Sequence, residues 1–177
     1  VAGYGGFQLP LGREGEMGVS VRFFPAPVAG RPGAGVMVTA IVGGGCFWCV
    51  ESDFEKLDGV SEVVSGYTGG TTINPTYKEV TYAKTGHYEA AEIFFDPAVI
   101  SYRELMDYYW TTVDPTDDRG QFCDKGDSYR TAIFARPDQI KDAQASLVNM
   151  QQTKPFSAPI VTPIKTAVPF YEAEDYH

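Results

Sequence analysis

A chain of 177 residues with 44% apolar side chains can build one hydrophobic core without covalent staples. Its net charge of -9, with no basic run, argues against nucleic acid or an anionic membrane as partner, and no apolar run approaches the length needed to cross a bilayer. The 3 cysteines cannot all pair with one another, and two of them form a CxxC, which points away from a secreted disulfide scaffold and toward redox chemistry or metal binding. The first residue is Val1, so the expected compartment is the cytoplasm or, if a leader was removed, the periplasm.

In chain order, residues 1–36 are rich in glycine and proline, as in Gly3-Tyr4-Gly5-Gly6 and Pro25-Ala26-Pro27, and read as an extended arm. Residues 37–177 read as one domain. An apolar run predicts a strand over 37–43, followed by a helix over 47–57 and a short strand over 60–66 that Gly66-Tyr67-Thr68-Gly69-Gly70 interrupts. A turn-rich loop holding Asn74-Pro75-Thr76-Tyr77 leads to a strand over 88–95, closed by Asp96-Pro97. Ser101-Tyr102-Arg103-Glu104 is a capping-box pattern that opens the next helix. Residues 114–127 form a long polar loop, a length that in a compact domain usually signals function or disorder. A strand over 129–135, a helix over 138–152 and an edge strand over 159–164 follow, and the tail after Pro169 is aromatic and acidic. The order strand, helix, strand, strand, helix, strand predicts an α+β fold: a ferredoxin-like split βαβ core with a mixed sheet, helices packed on it, and C-terminal additions.

The chemistry concentrates at Gly43-Gly44-Gly45-Cys46-Phe47-Trp48-Cys49, where the first strand turns into the first helix. Glycines permit unusual backbone angles and close approach, and the first helical turn offers unpaired N–H groups and positive potential. A thiolate is favoured in such a place, and the thiolate is the nucleophile. The competing reading makes Cys46 a small buried hydrophobe at a strand end. At about 100° per residue, Phe47, Val50, Phe54 and Leu57 share the core-facing arc, whereas Trp48 and Cys49 project among polar residues. Trp48 either covers neighbouring surface or walls a pocket beside Cys46. Cys49 lies one helical turn from Cys46, a separation compatible with a disulfide.

On the strand 88–95, period two aligns Glu89 with Ala91, Ile93 and Phe95. A carboxyl group held against apolar surface keeps its proton and can act as a general acid, unless it lies at the wet end of the strand and is merely solvated. Tyr77, Asp124 and Tyr129 lie in or beside the two loops able to reach the mouth of the first strand. His87 with Cys46, Cys49 and Cys123 would make a zinc set only with poor spacing, so no metal and no cofactor is expected.

At these residues the sequence resembles the A-type peptide-methionine sulfoxide reductases. The resemblance is carried by Gly45-Cys46-Phe47-Trp48, Gly66-Tyr67-Thr68-Gly69-Gly70, Asn74-Pro75-Thr76-Tyr77, Gly86-His87-Tyr88-Glu89, Asp96-Pro97 and Gly126-Asp127-Ser128-Tyr129-Arg130, in family order from about residue 38 to the C-terminus. It implies that Cys46 attacks the sulfur of a methionine sulfoxide, that Phe47 and Trp48 form the slot for the terminal methyl group, and that Glu89 protonates the departing oxygen. Tyr77, Asp124 and Tyr129 match positions that hydrogen-bond this oxygen, directly or through water. The attack leaves Cys46 as a sulfenic acid. The chain departs from the commonest family pattern, which has glycine in the place of Cys49 and further cysteines near the C-terminus. Cys49 is the first choice to resolve the sulfenic acid and Cys123 its rival, with thioredoxin as the reductant of the disulfide. The resemblance also implies the S epimer of the sulfoxide, free or in oxidised proteins, and a monomer. Two other readings compete: a thioredoxin-like CxxC dithiol oxidoreductase, and a zinc-stabilised binding module without enzymatic activity.

Overall fold

The computed structural model describes residues 36–177 and the backbone of 21–22. Its strands are β1 (Val21–Arg22), β2 (Val38–Gly44), β3 (Val60–Thr68), β4 (Tyr88–Phe95), β5 (Gly120–Gln121), β6 (Asp124–Lys125), β7 (Thr131–Ala135), β8 (Ile164–Thr166) and β9 (Phe170–Glu172). Its helices are α1 (Phe47–Glu55), α2 (Tyr77–Tyr82), α3 (Tyr102–Tyr109) and α4 (Ile140–Thr153), with a 3-10 turn at Asp127–Tyr129.

A single 7-stranded sheet runs in the order β1-β9-β3-β4-β2-β7-β8, and β5 and β6 form a separate hairpin. β4 pairs antiparallel with both β2 and β3, so β2 and β3 point the same way with β4 between them. This is the expected split βαβ crossover, with α1 as its helix. The crossover from β4 through α3 to β7 is split in the same manner by β2, which pairs antiparallel with β7. β7 and β8 pair in parallel, which makes the sheet mixed.

Period-two alternation decides what each face carries. Ala91, Ile93 and Phe95 of β4 face the larger core with Ala40, Val42, Val50, Phe54 and Leu105. The opposite face packs Tyr88 and Ala90 with Ile41, Phe134 and Phe170. Leaving water is worth about 1.5–3 kcal/mol for each such large side chain. α1 forms because Phe47, Val50 and Phe54 recur on one face, and all three are buried. α3 starts where the reciprocal hydrogen bonds between Ser101 and Glu104 satisfy two orphan N–H groups. Among the described residues, no helix is long and apolar enough to cross a membrane.

Several expectations need correction. The strand expected over 159–164 lies at Ile164–Thr166, because the parallel register to Ile133–Ala135 begins only at Ile164. The strand expected from 129 begins at Thr131, since Asp127–Tyr129 is wound into the 3-10 turn. Residues 77–82, expected as loop, form α2, which Thr76 and Glu79 cap reciprocally. The 114–127 loop contains the β5–β6 hairpin. The acidic tail supplies β9, which pairs with β3 on one side and with Val21–Arg22 on the other. The rest of the arm, residues 1–20 and 23–35, lies outside the described residues.

Candidate active site

β2 delivers its C-terminal end to the middle of the sheet, and α1 starts after two intervening residues, Gly45 and Cys46. The turn between them depends on Gly45, whose φ of +86° favours glycine and where a Cβ would lie 2.7 Å from Cβ of Gln121. Tyr109, fully buried, donates its hydroxyl to the Gly43 carbonyl at 2.6 Å and fixes the strand end from below. Cys46 is the N-cap residue of α1, and its carbonyl accepts the N–H groups of Cys49 and Val50 at 3.1 and 3.3 Å. Its side chain is partly exposed and makes no capping bond.

Glu89 sits beside it. The Phe47 N–H, one residue past Cys46, donates to Glu89 Oε2 at 3.2 Å, so a first-turn donor expected to serve the sulfur is taken by the carboxyl group. Glu89 is 1% exposed, which decides against the wet-end reading. Loss of water pushes its pKa from 4.5 up to about 7; the Phe47 N–H opposes the shift and the charge of Asp124 adds to it. Near neutrality this carboxyl group therefore holds a proton for much of the time.

The loop residues converge on the same place. The phenols of Tyr77 and Tyr129 lie near each other, and Tyr129 ionises with more difficulty than usual because of burial, the Glu89 charge, Tyr77 and Asp124. Asp124, exposed on β6, lies within electrostatic reach of Glu89, Cys49 and Tyr129. Phe47 is buried against Tyr67 and Val80, with Tyr77 packed alongside. Trp48 is 52% exposed, with its ring 6.1 Å from that of Phe47 and 5.8 Å from that of His177. An indole half in water beside Phe47 is not a core plug.

The two other cysteines differ. The Cys49 side chain lies near that of Cys46, and its thiol pKa is raised by burial first and then by Cys46. Cys123 is exposed in the turn between β5 and β6. All three are free thiols.

His87 is no ligand candidate. Its Nδ1 accepts the Gly70 N–H at 3.1 Å and its Nε2 donates to the Thr72 carbonyl at 2.7 Å, so both ring nitrogens hold the Gly69-Gly70 loop. Among the described residues, no group of three or more His, Cys, Asp or Glu is arranged to hold a metal ion.

Sequence reasoning missed Glu174, Tyr67 and His177, which line the far side of Phe47 and Tyr77. Glu174 accepts the Tyr67 hydroxyl at 2.8 Å and the Tyr77 N–H at 2.7 Å, and the His177 ring lies 4.7 Å from that of Tyr77. No local pattern in an aromatic, acidic tail announces these contacts; they depend on β9 joining β3.

A family model described as peptide methionine sulfoxide reductase matches residues 38–177. The chain belongs to that family. It is 53% identical over 140 residues to the peptide methionine sulfoxide reductase MsrA of Leuconostoc mesenteroides, covering 78% of this chain and 82% of that protein. Among solved structures, methionine sulfoxide reductase A of Corynebacterium diphtheriae superposes with a TM-score of 0.73 at 32% identity, covering 87% of this chain and 79% of that one. Reduced Mxr1 of Saccharomyces cerevisiae gives 0.72 at 28% identity, covering 89% and 86%. A further structure of Mxr1, in complex with Trx2, gives 0.54 at 21% identity, covering 78% and 82%. Membership in the reductase family displaces both the thioredoxin-like dithiol reading and the zinc-module reading.

Proposed function

We propose that residues 37–177 form the catalytic unit and that Cys46 and Glu89 carry the reaction of this peptide-methionine (S)-S-oxide reductase. A sulfoxide is a poor electrophile until its oxygen is protonated. Glu89 supplies that proton while the Cys46 sulfur attacks the substrate sulfur. The attack forms a sulfur–sulfur bond; the hydroxyl then passes from the substrate sulfur to the Cys46 sulfur as the sulfur–oxygen and sulfur–sulfur bonds break, and methionine leaves, reduced by two electrons. The hydroxyl remains on Cys46 as a sulfenic acid, so the cysteine sulfur loses the same two electrons. Phe47 and Trp48 hold the terminal methyl group. Tyr77 and Tyr129, with Asp124 at the rim, orient the oxygen through hydroxyl hydrogen bonds that need no change of charge near neutrality.

The observation that supports this reading is the buried Glu89 carboxyl on the Phe47 N–H, with its pKa brought to about 7 next to the candidate nucleophile. Catalytic acids work best when their pKa lies near the operating pH. Cys49 then resolves the sulfenic acid, its thiol displacing water to form a Cys46–Cys49 disulfide; its place one helical turn from Cys46, whose carbonyl accepts the Cys49 N–H at 3.1 Å, favours it over Cys123. An external dithiol of the thioredoxin class returns both cysteines to thiols and becomes a disulfide itself. The Mxr1 complex with Trx2 is the precedent for such a reductant. The biological outcome is repair of oxidised methionine in proteins.

The test is methionine formation from methionine S-sulfoxide with dithiothreitol as reductant. Cys46→Ser is expected to form none. Peptide mapping after one turnover without reductant is expected to show a Cys46–Cys49 pair. A Cys46–Cys123 pair would transfer the resolving role, and an active Cys46→Ser variant would remove the nucleophile assignment.

A further inference from the structure

We infer that Glu174 is a positioning residue for this reaction, holding Tyr77 so that its hydroxyl meets Tyr129 beside Glu89. The inference rests on the roles proposed above for Tyr77 and Tyr129.

α2 is poorly anchored by itself. It has six residues, only Val80 among them is buried, and its own capping box is exposed. Helices this short are marginal without tertiary support. For the role proposed above, its first residue, Tyr77, has to hold its phenol beside Tyr129. Glu174 supplies the missing constraint. Its Oε1 accepts the Tyr77 N–H at 2.7 Å, and its Oε2 accepts the Tyr67 hydroxyl at 2.8 Å and lies 3.5 Å from His177 Nε2. The His177 ring in turn stands 4.7 Å from the Tyr77 ring. One carboxylate therefore holds the backbone of Tyr77, while the neighbouring His177 ring packs against the Tyr77 ring.

The clamp is itself fixed to the sheet. β9 ends at Glu172, where Gly66 pairs with Glu172 and Tyr67 with Tyr171, and the Ala173 N–H donates to the Ser65 carbonyl at 2.9 Å. Tyr67 lies opposite Glu89 in the β3–β4 register. Glu174 thus ties α2 to the strand pair that carries the acid. Burial resists its ionisation, but the Tyr77 N–H, its own backbone N–H, the Tyr67 hydroxyl and His177 together hold its pKa below the usual glutamate value. It is a charged acceptor at working pH, and charge-assisted bonds are the stronger kind.

A small misplacement of a catalytic group can cost up to about 100-fold in rate. Glu174→Ala is expected to lower kcat by about 10-fold or more, with the urea midpoint measured in parallel to confirm folding. The deciding measurement is a double-mutant cycle on kcat with Tyr77→Phe. If Glu174 acts through the Tyr77 hydroxyl, its removal in the Tyr77→Phe background costs less than about 2-fold. A purely structural role would give the same loss in both backgrounds. Equal losses, or a Glu174→Ala variant with wild-type kcat, would overturn the inference. Should Glu174→Ala fail to fold, Glu174→Gln, which keeps one acceptor oxygen, carries the same cycle. A wild-type protein that forms no methionine would refute the proposed reaction instead, so the two failures are distinguishable.

Discussion

Replacing Glu89 by glutamine should stabilise the protein in alkaline solution while removing the proposed proton donor. Burial raises the Glu89 pKa from 4.5 to about 7. Because the folded state holds this proton more tightly than the unfolded chain, the associated stability is fully present below about pH 4.5 and is lost as pH rises through about 7. The shift of roughly 2.5 corresponds to about 3 kcal/mol, at about 1.4 kcal/mol for each pH unit. Glutamine carries no charge to desolvate and retains an oxygen for the Phe47 N–H, but its amide hydrogens, if left unpaired in this site, cost about 1–3 kcal/mol at every pH. The pH dependence is therefore the clean observable. Urea unfolding of wild type and Glu89→Gln is measured from about pH 4 to about pH 8. The stability difference, variant minus wild type, should grow by about 3 kcal/mol across that range. Parallel stability curves would show that Glu89 is not desolvated as described, and the reasoning for a protonated acid would fall with it.

Three further outcomes follow from the same site. In wild type, kcat/KM should decline as pH rises through about 7, because Glu89 donates only while protonated, and Glu89→Gln should lose that limb along with about 10²- to 10⁴-fold in rate; stopped assays across a buffered pH series measure both. Without added reductant, wild type and Cys123→Ser should consume the Cys49 thiol as they form methionine, whereas Cys49→Ser should form one equivalent and retain a sulfenic acid that dimedone labels. Trp48→Ala should raise KM for methionine sulfoxide by about 10-fold, as expected for about 1.4 kcal/mol of lost apolar contact, with little change in the urea midpoint because the indole is half exposed; steady-state kinetics and denaturation check the two halves.

Much of the catalytic centre is readable along the chain because its signals are local. The apolar run before Gly43-Gly44-Gly45 and the helical spacing after Cys46 are short-range patterns, and β2 and α1 form where those patterns lie. Alternation in β4 puts Glu89 in line with Ala91, Ile93 and Phe95, and the sheet keeps that face. The α2 helix carries a readable capping signal in Thr76 and Glu79, but its single buried residue leaves no periodicity to support it. β9 and its pairing with Val21–Arg22 leave almost no trace in sequence, since strands of two or three residues are too short to alternate.

The sequence by itself determined which residue could be the nucleophile, which strand would carry the acid, and the split crossover order that brings both to the centre of one sheet. Only the tertiary structure decided the state and support of those groups. Burial brings the Glu89 pKa to about 7 although the Phe47 N–H opposes it, and Tyr77 is held by Glu174, 97 residues further along the chain, which accepts its N–H. Periodicity is a property of neighbours in sequence, whereas desolvation and hydrogen-bond partnership are properties of neighbours in space.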